Sequence, residues 1–189
     1  MVMKLKRLGK FPIVSWVLAI GILLCVTRHV LALDVGQKIP DFSLRDCYGN
    51  LHYSTDLCGA KAKETKVLIV DFFATNCVPC KKALPVLVKI YEKYKGKGLK
   101  VVLVSFQERE KTLREFAEKN GVKFPVLMDK YGEVAQGFGV FGLPRTFIVG
   151  SDCTLKKQII GEQKDLEIML ENEIKLRLES EDSNSVRKK

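Results

Sequence analysis

Hydrophobic and polar positions divide the chain into alternating strand-like and helix-like stretches. Val67 to Phe73 is apolar except for Asp71 and has the length of a strand buried on both faces. Lys81 to Tyr91 follows, with apolar residues at 84, 87, 88 and 91, and this spacing predicts a helix over about 78–95. Gly96-Lys97-Gly98 stops it, and Leu99 to Phe106 is a second β-branched apolar run. Lys111 to Asn120 reads as a helix with Leu113, Phe116 and Ala117 turned inward and Gly121 as its stop. Val126-Leu127-Met128 is a short strand, Val134 to Phe138 a short helix and Thr146 to Val149 a strand. A turn over residues 150–154 leads to an antiparallel partner, Leu155 to Ile160. Leu166 to Leu178 forms a last helix, with Leu166, Met169, Leu170, Ile174 and Leu178 on one face. Ahead of the central run, Pro40 to Asp46 alternates, Tyr48-Gly49-Asn50 turns, and Leu51-His52-Tyr53 starts a return strand; Lys61 to Lys66 is a polar loop. Strand–helix–strand units after a hairpin imply an α/β domain, a sheet with helices on both faces.

Both ends of the chain depart from this pattern. Residues 1–10 are basic, Phe11 to Val26 is almost wholly apolar, and Val30-Leu31-Ala32 ends the stretch like a cleavage site. Residues 1–32 therefore read as a signal peptide cut after Ala32 or as a membrane anchor retained at 11–26. The run is short for a span, and Arg28-His29 interrupt it. Lipidation at Cys25 fits poorly, because Leu24 is larger than the small residue expected before such a cysteine. Each option places the domain outside the cytoplasm, in the periplasm or on the outer face of the membrane. At the other end, residues 180–189 read as a disordered polar tail, leaving 33–179 as the folded domain.

Composition sharpens this only a little. Of the 189 residues, 47% are hydrophobic, which suits a globular core. The net charge is +10, but Lys4, Lys6, Arg7, Lys10 and Arg28 supply half of it and residues 1–32 hold no acid. The remainder is mildly basic, with Lys and Glu interleaved on the expected helix faces. That is a solvated surface, and no nucleic-acid partner is expected.

The chemistry lies in Asn76-Cys77-Val78-Pro79-Cys80, where the central strand turns into a helix. Free N–H groups and the positive dipole end at a helix start favour a thiolate on Cys77. A thiolate attacks disulfides, and Cys80 is close enough in sequence to resolve a mixed disulfide on Cys77. Pro79 falls in the first turn, where no N–H donor is needed. Lys81 and Lys82 could favour the thiolate or could simply be solvated.

Val70 to Lys81 resembles the active-site strand and motif of the thioredoxins. Pro85, eight residues after Cys77, resembles the proline that kinks their helix, and Phe141-Gly142-Leu143-Pro144-Arg145-Thr146-Phe147 resembles their cis-proline loop. Pro40 to Asp46, with Gly49 behind, is similar to the added hairpin of the TlpA/ResA-like branch, related to the AhpC/TSA redoxins. The resemblance covers roughly 36–178 and implies a thioredoxin fold: a central mixed sheet flanked by helices, with an added N-terminal β-hairpin. It implies Cys77 and Cys80 as a redox-active disulfide and Asp71 as a buried carboxyl that accepts the Cys80 proton. Leu143 and Pro144 would hold a substrate backbone. Two positions depart from the pattern: Asn76 stands where the family usually has Trp, and Ala83 where many members carry Glu.

Of the other cysteines, Cys47 and Cys58 flank the hairpin and either form a structural disulfide or are two independent buried residues. Cys153, in a turn, is the candidate free thiol. One Cys-x-x-Cys and His52 do not supply a four-ligand zinc site, so no metal and no cofactor are expected. The expected function is an exported thiol:disulfide oxidoreductase. Val-Pro between the cysteines lacks the His of strong oxidants, so the expected direction is reduction of protein disulfides, with electrons from a membrane donor. The rivals are a peroxiredoxin-like peroxidase and a non-catalytic redox or metal assembly module. Thr75 sits only two residues before Cys77 and position 70 is Val, which does not match the peroxidase pattern.

Overall fold

The structure is a computed structural model that describes residues 33–187, with side chains through Ser180. The expected leader, with its cleavage site or anchor, lies outside the described residues. Among the described residues no helix is long and apolar enough to cross a membrane.

A hairpin of β1 (Ser43–Arg45) and β2 (Leu51–Tyr53) opens the domain, followed by the single turn α1 (Ser54–Leu57). Then come β3 (Val67–Phe73), α2 (Val78–Tyr94), β4 (Leu99–Phe106), α3 (Glu110–Lys119), β5 (Val126–Asp129) and α4 (Glu133–Gly137). β6 (Arg145–Gly150), β7 (Leu155–Ile160) and α5 (Leu166–Arg187) complete it. The five-stranded sheet runs β5-β4-β3-β6-β7, with β3, β4 and β5 parallel and β6 antiparallel to both β3 and β7. This mixed sheet flanked by helices, with a separate two-stranded N-terminal sheet, is the thioredoxin fold. The last helix runs on past Leu178 to Arg187.

β3 is central, and all seven of its residues are buried. Its alternate side chains feed two cores. Val67, Ile69 and Phe73 join Leu84, Leu87 and Ile90 of α2 and Leu170 and Ile174 of α5 on one face. Leu68, Val70 and Phe72 join Phe42, Leu57, Ala135 and Phe138 on the other. Period two in the strand and period 3.6 in α2 meet, and that fixes α2 across one face of the sheet. α2 ends in a tight turn at Lys95–Lys97, and Gly98 takes φ +97°. A Cβ there would also lie 2.9 Å from Lys66 Cγ and 3.0 Å from the Glu64 carbonyl, so glycine is required twice over.

The hairpin is locked to the outer edge of β5: Asp46 bridges to Leu127, and the Cys47 N–H donates to the Val126 carbonyl at 2.9 Å. Asp46 closes the hairpin turn. Its Oδ1 accepts the Tyr48 and Asn50 N–H groups at 2.9 Å, and its Oδ2 contacts Asn50 Nδ2 at 3.0 Å and His52 Nε2 at 2.9 Å. Burial opposes ionisation of this carboxyl, yet the hydrogen bonds from His52, Asn50 and the backbone outweigh it and hold its pKa below the ordinary value.

The cysteine pairing expected from the hairpin is corrected. Cys58 is bonded to Cys153, and Cys47 is the free thiol, fully buried. Neighbours in sequence are separated here by the sheet: Cys47 packs in the α2-side core and Cys58 in the opposite one. Cys153 reaches Cys58 because the β6–β7 turn folds over the end of α1, where Gly59 N–H donates to the Ser151 carbonyl at 2.7 Å. A Cβ on Gly59 would stand 3.2 Å from Cys153 Sγ.

Candidate active site

The end of β3, the start of α2 and the start of β6 converge at one end of the sheet. The chain leaves β3 through a turn in which the Cys77 N–H donates to the Ala74 carbonyl at 3.1 Å. Cys77 is then the N-cap of α2, its sulfur accepting the Cys80 N–H at 3.2 Å. That contact supplies a donor to sulfur where the helix leaves N–H groups free, which favours negative charge on Cys77. Cys77 is half-buried, Cys80 is buried, and the two are joined as a disulfide. Asn76 and Val78 are exposed beside them.

The loop before Cys77 is held by a residue with no local sequence signal. Glu108 accepts the Thr75 N–H at 3.0 and 3.1 Å on its two oxygens, the Ser105 hydroxyl at 2.6 Å, and the Thr75 hydroxyl as well. Thr75 and Glu108 are 33 residues apart and meet only because β3 and β4 pair in parallel.

Asp71 is buried, and burial raises its pKa to about 7 despite the counter-effect of a hydrogen bond from Thr146. The Thr146 hydroxyl donates to Asp71 Oδ1 at 2.5 Å. The two are cross-strand partners in the β3–β6 register. By strand alternation Asp71 points to the same face as Ile69 and Phe73, the face whose core includes Cys80.

The Leu143–Pro144 peptide is cis. Pro144 and Thr146 line a cavity of about 310 Å³ together with Pro79, Ala83, Lys82 and Glu162. Ala83, one of the two departures, thus forms part of a recess beside the cysteines. Leu143 packs on the same core as Cys77, and its backbone takes part in no loop hydrogen bond among the described residues. The expected residues Cys77, Cys80, Leu143 and Pro144 are therefore gathered at one place, with Asp71 tied to it through Thr146. Lys81 is exposed, and Lys82 pairs with Glu162 at 2.7 Å. Among the described residues no group of three or more His, Cys, Asp or Glu side chains is placed to hold a metal ion.

This fold, with a bonded cysteine pair capping the helix that follows the central strand, defines a thioredoxin-like disulfide oxidoreductase. Residues 35–158 match the model of the AhpC/TSA family. The thiol-disulfide oxidoreductase ResA of Geobacillus thermodenitrificans is 33% identical over 149 residues, 79% of this chain and 79% of the relative. That of Bacillus anthracis is 33% identical over 131 residues, 69% and 72% of the two chains. Among solved structures, a Chlorobium tepidum protein assigned as the thiol:disulfide interchange protein DsbE superposes with a TM-score of 0.69 at 29% identity, covering 78% of this chain and 99% of that one. The chain belongs to the AhpC/TSA family, as a TlpA/ResA-like thioredoxin-fold protein.

Proposed function

We propose that this chain is an exported enzyme that reduces protein disulfides through Cys77 and Cys80. The Cys77 thiolate attacks one sulfur of the substrate disulfide. A mixed disulfide forms and the other substrate sulfur leaves as a thiolate. Cys80 then attacks Cys77 Sγ, which forms the Cys77–Cys80 disulfide and releases the second substrate thiol. Two electrons pass to the substrate, and a membrane donor returns two to the pair. Asp71 takes the Cys80 proton, a role that suits a carboxyl poised near neutral pH. Leu143 and Pro144 hold the substrate backbone in an extended form alongside Cys77.

The observation that carries this reading is the position of Cys77 as the cap of α2, with the Cys80 N–H on its sulfur. Export is supported by the basic–apolar–small pattern of residues 1–32. The test is reduction of a disulfide-bonded protein by the reduced full chain, followed by mass mapping. Cys77→Ser is expected to abolish exchange, and Cys80→Ser to accumulate a mixed disulfide on Cys77. Full exchange by Cys77→Ser would end the proposal.

A further inference from the structure

On the other face of the sheet from the Ala83 recess lies a second cavity, of about 240 Å³. It is lined by Phe72, Phe106, Val140, Phe141 and Leu143, and no charged side chain reaches it. Two of its walls stand open to solvent although they are aromatic: Phe141 is 77% exposed and Phe106 is 42% exposed. Phe106 is seated against Gly132, which has φ +73° and where a Cβ would lie 2.5 Å from the ring. A glycine at that point leaves room for the ring to approach the backbone closely.

Leu143 links the cavity to the redox site, because it also packs on the core that includes Cys77 and Cys80. Leu143 lines it, and the next residue, Pro144, lines the recess that holds Lys82 and Glu162. Two adjacent residues thus open onto opposite faces of the sheet, one onto a cavity without charged side chains and the other onto a mixed recess that carries Lys82 and Glu162. An extended segment laid along Leu143 projects successive side chains to opposite faces. One face meets the Phe106–Phe141 cavity, and the other meets the recess with Lys82 and Glu162.

We infer that the Phe106–Phe141 cavity is a side-chain subsite, taking a large apolar residue next to the substrate cysteine that Cys77 attacks. The inference rests on the exchange reading of the site and adds the class of substrate: a disulfide-bearing protein segment with a leucine- to phenylalanine-sized residue flanking its cysteine.

The test compares peptide disulfides that differ at one residue beside the cysteine, Phe against Lys, with each flanking side tried in turn. The second-order rate of reduction by the reduced full chain is measured for each peptide, and the readout is the Phe-to-Lys rate ratio. Burying part of a phenylalanine gives an expected ratio of about tenfold on one flank. In Phe141→Ser the ratio is expected to fall to within about twofold, and Phe106→Ser should lower it in the same way. A ratio near one in the unaltered chain, or a tenfold ratio that survives both substitutions, overturns the subsite alone. An unaltered chain that exchanges with neither peptide overturns the exchange reading and the subsite with it.

Discussion

The two disulfides of this domain sit on opposite cores of one sheet and differ in almost every physical respect. Cys77 and Cys80 are three residues apart, at a helix start, with Cys77 half-buried. Cys58 and Cys153 are 95 residues apart, and Cys58 is completely buried. In the chain-entropy model the short link restrains the unfolded chain by only about 2 kcal/mol, whereas the long one restrains it by about 4.7 kcal/mol. The short link joins two N–H-rich positions where a thiolate is stabilised, so opening it costs little and yields a nucleophile. The long one ties α1 to the β6–β7 turn and offers no such stabilisation. On the proposed function one bond is exchanged and the other holds the fold, and position along the chain and at helix ends is what separates them.

The largest effect that would break this contrast is on stability. Cys58→Ser with Cys153→Ser is expected to lower the unfolding free energy by about 3–5 kcal/mol, a fall of roughly 10 °C in Tm, while disulfide exchange continues. Thermal unfolding alongside a disulfide-reduction assay checks both halves. If exchange stopped while the domain stayed folded, the division of labour would be wrong.

Asp71 sharpens the contrast from the exchanging side. Its pKa is raised from 3.8 to about 7 by burial. The folded state therefore holds a proton that the unfolded state releases, so stability falls as pH rises from about 4 to 7. Asp71→Asn is expected to remove that fall, so that the variant is the more stable protein above pH 7, by up to about 4 kcal/mol. Its exchange rate should drop by about tenfold or more and lose its pH dependence near neutrality. Denaturant melts and single-turnover rates from pH 5 to 9 test this, and a variant with unchanged pH dependence would remove Asp71 from the proton step.

A smaller effect is expected at the Glu108 clasp. Glu108→Ala frees the Thr75 N–H and the Ser105 hydroxyl, at a cost of about 1–3 kcal/mol. It should slow alkylation of reduced Cys77 several-fold, because the loop that places the sulfur over the Cys80 N–H loosens. Glu108→Gln, which keeps an acceptor, should recover part of both. Equal alkylation rates in all three proteins would reduce the clasp to a structural feature.

What could be read from the sequence and what could not follows from the range of the interactions. β3, the turn and α2 are local: an apolar run, a Cys-x-x-Cys and a period of 3.6 place them without knowledge of the rest. The hairpin follows from short patterns too, whereas the mixed sheet is implied by the thioredoxin resemblance and its strand order depends on long-range pairing. The Cys58–Cys153 bond is not legible locally: the sequence leaves Cys47 and Cys58 as a pair or as two independent buried residues and offers Cys153 as the free thiol, and only the sheet shows that Cys47 and Cys58 face different cores. Thr146 lies within the cis-proline loop, but its bond to Asp71 needs the antiparallel register of β3 and β6. Glu108 had no signal at all, because its partner is brought in by β3–β4 pairing.

The most direct test of the central claim is a redox titration of the oxidised full chain against a dithiol buffer, with each cysteine followed by alkylation and mass mapping. Cys77 and Cys80 are expected to open together near about −270 mV, with Cys58 and Cys153 still bonded. Opening of Cys58–Cys153 first, or of Cys77–Cys80 only near about −120 mV, would contradict the assignment of Cys77 and Cys80 as the reducing pair.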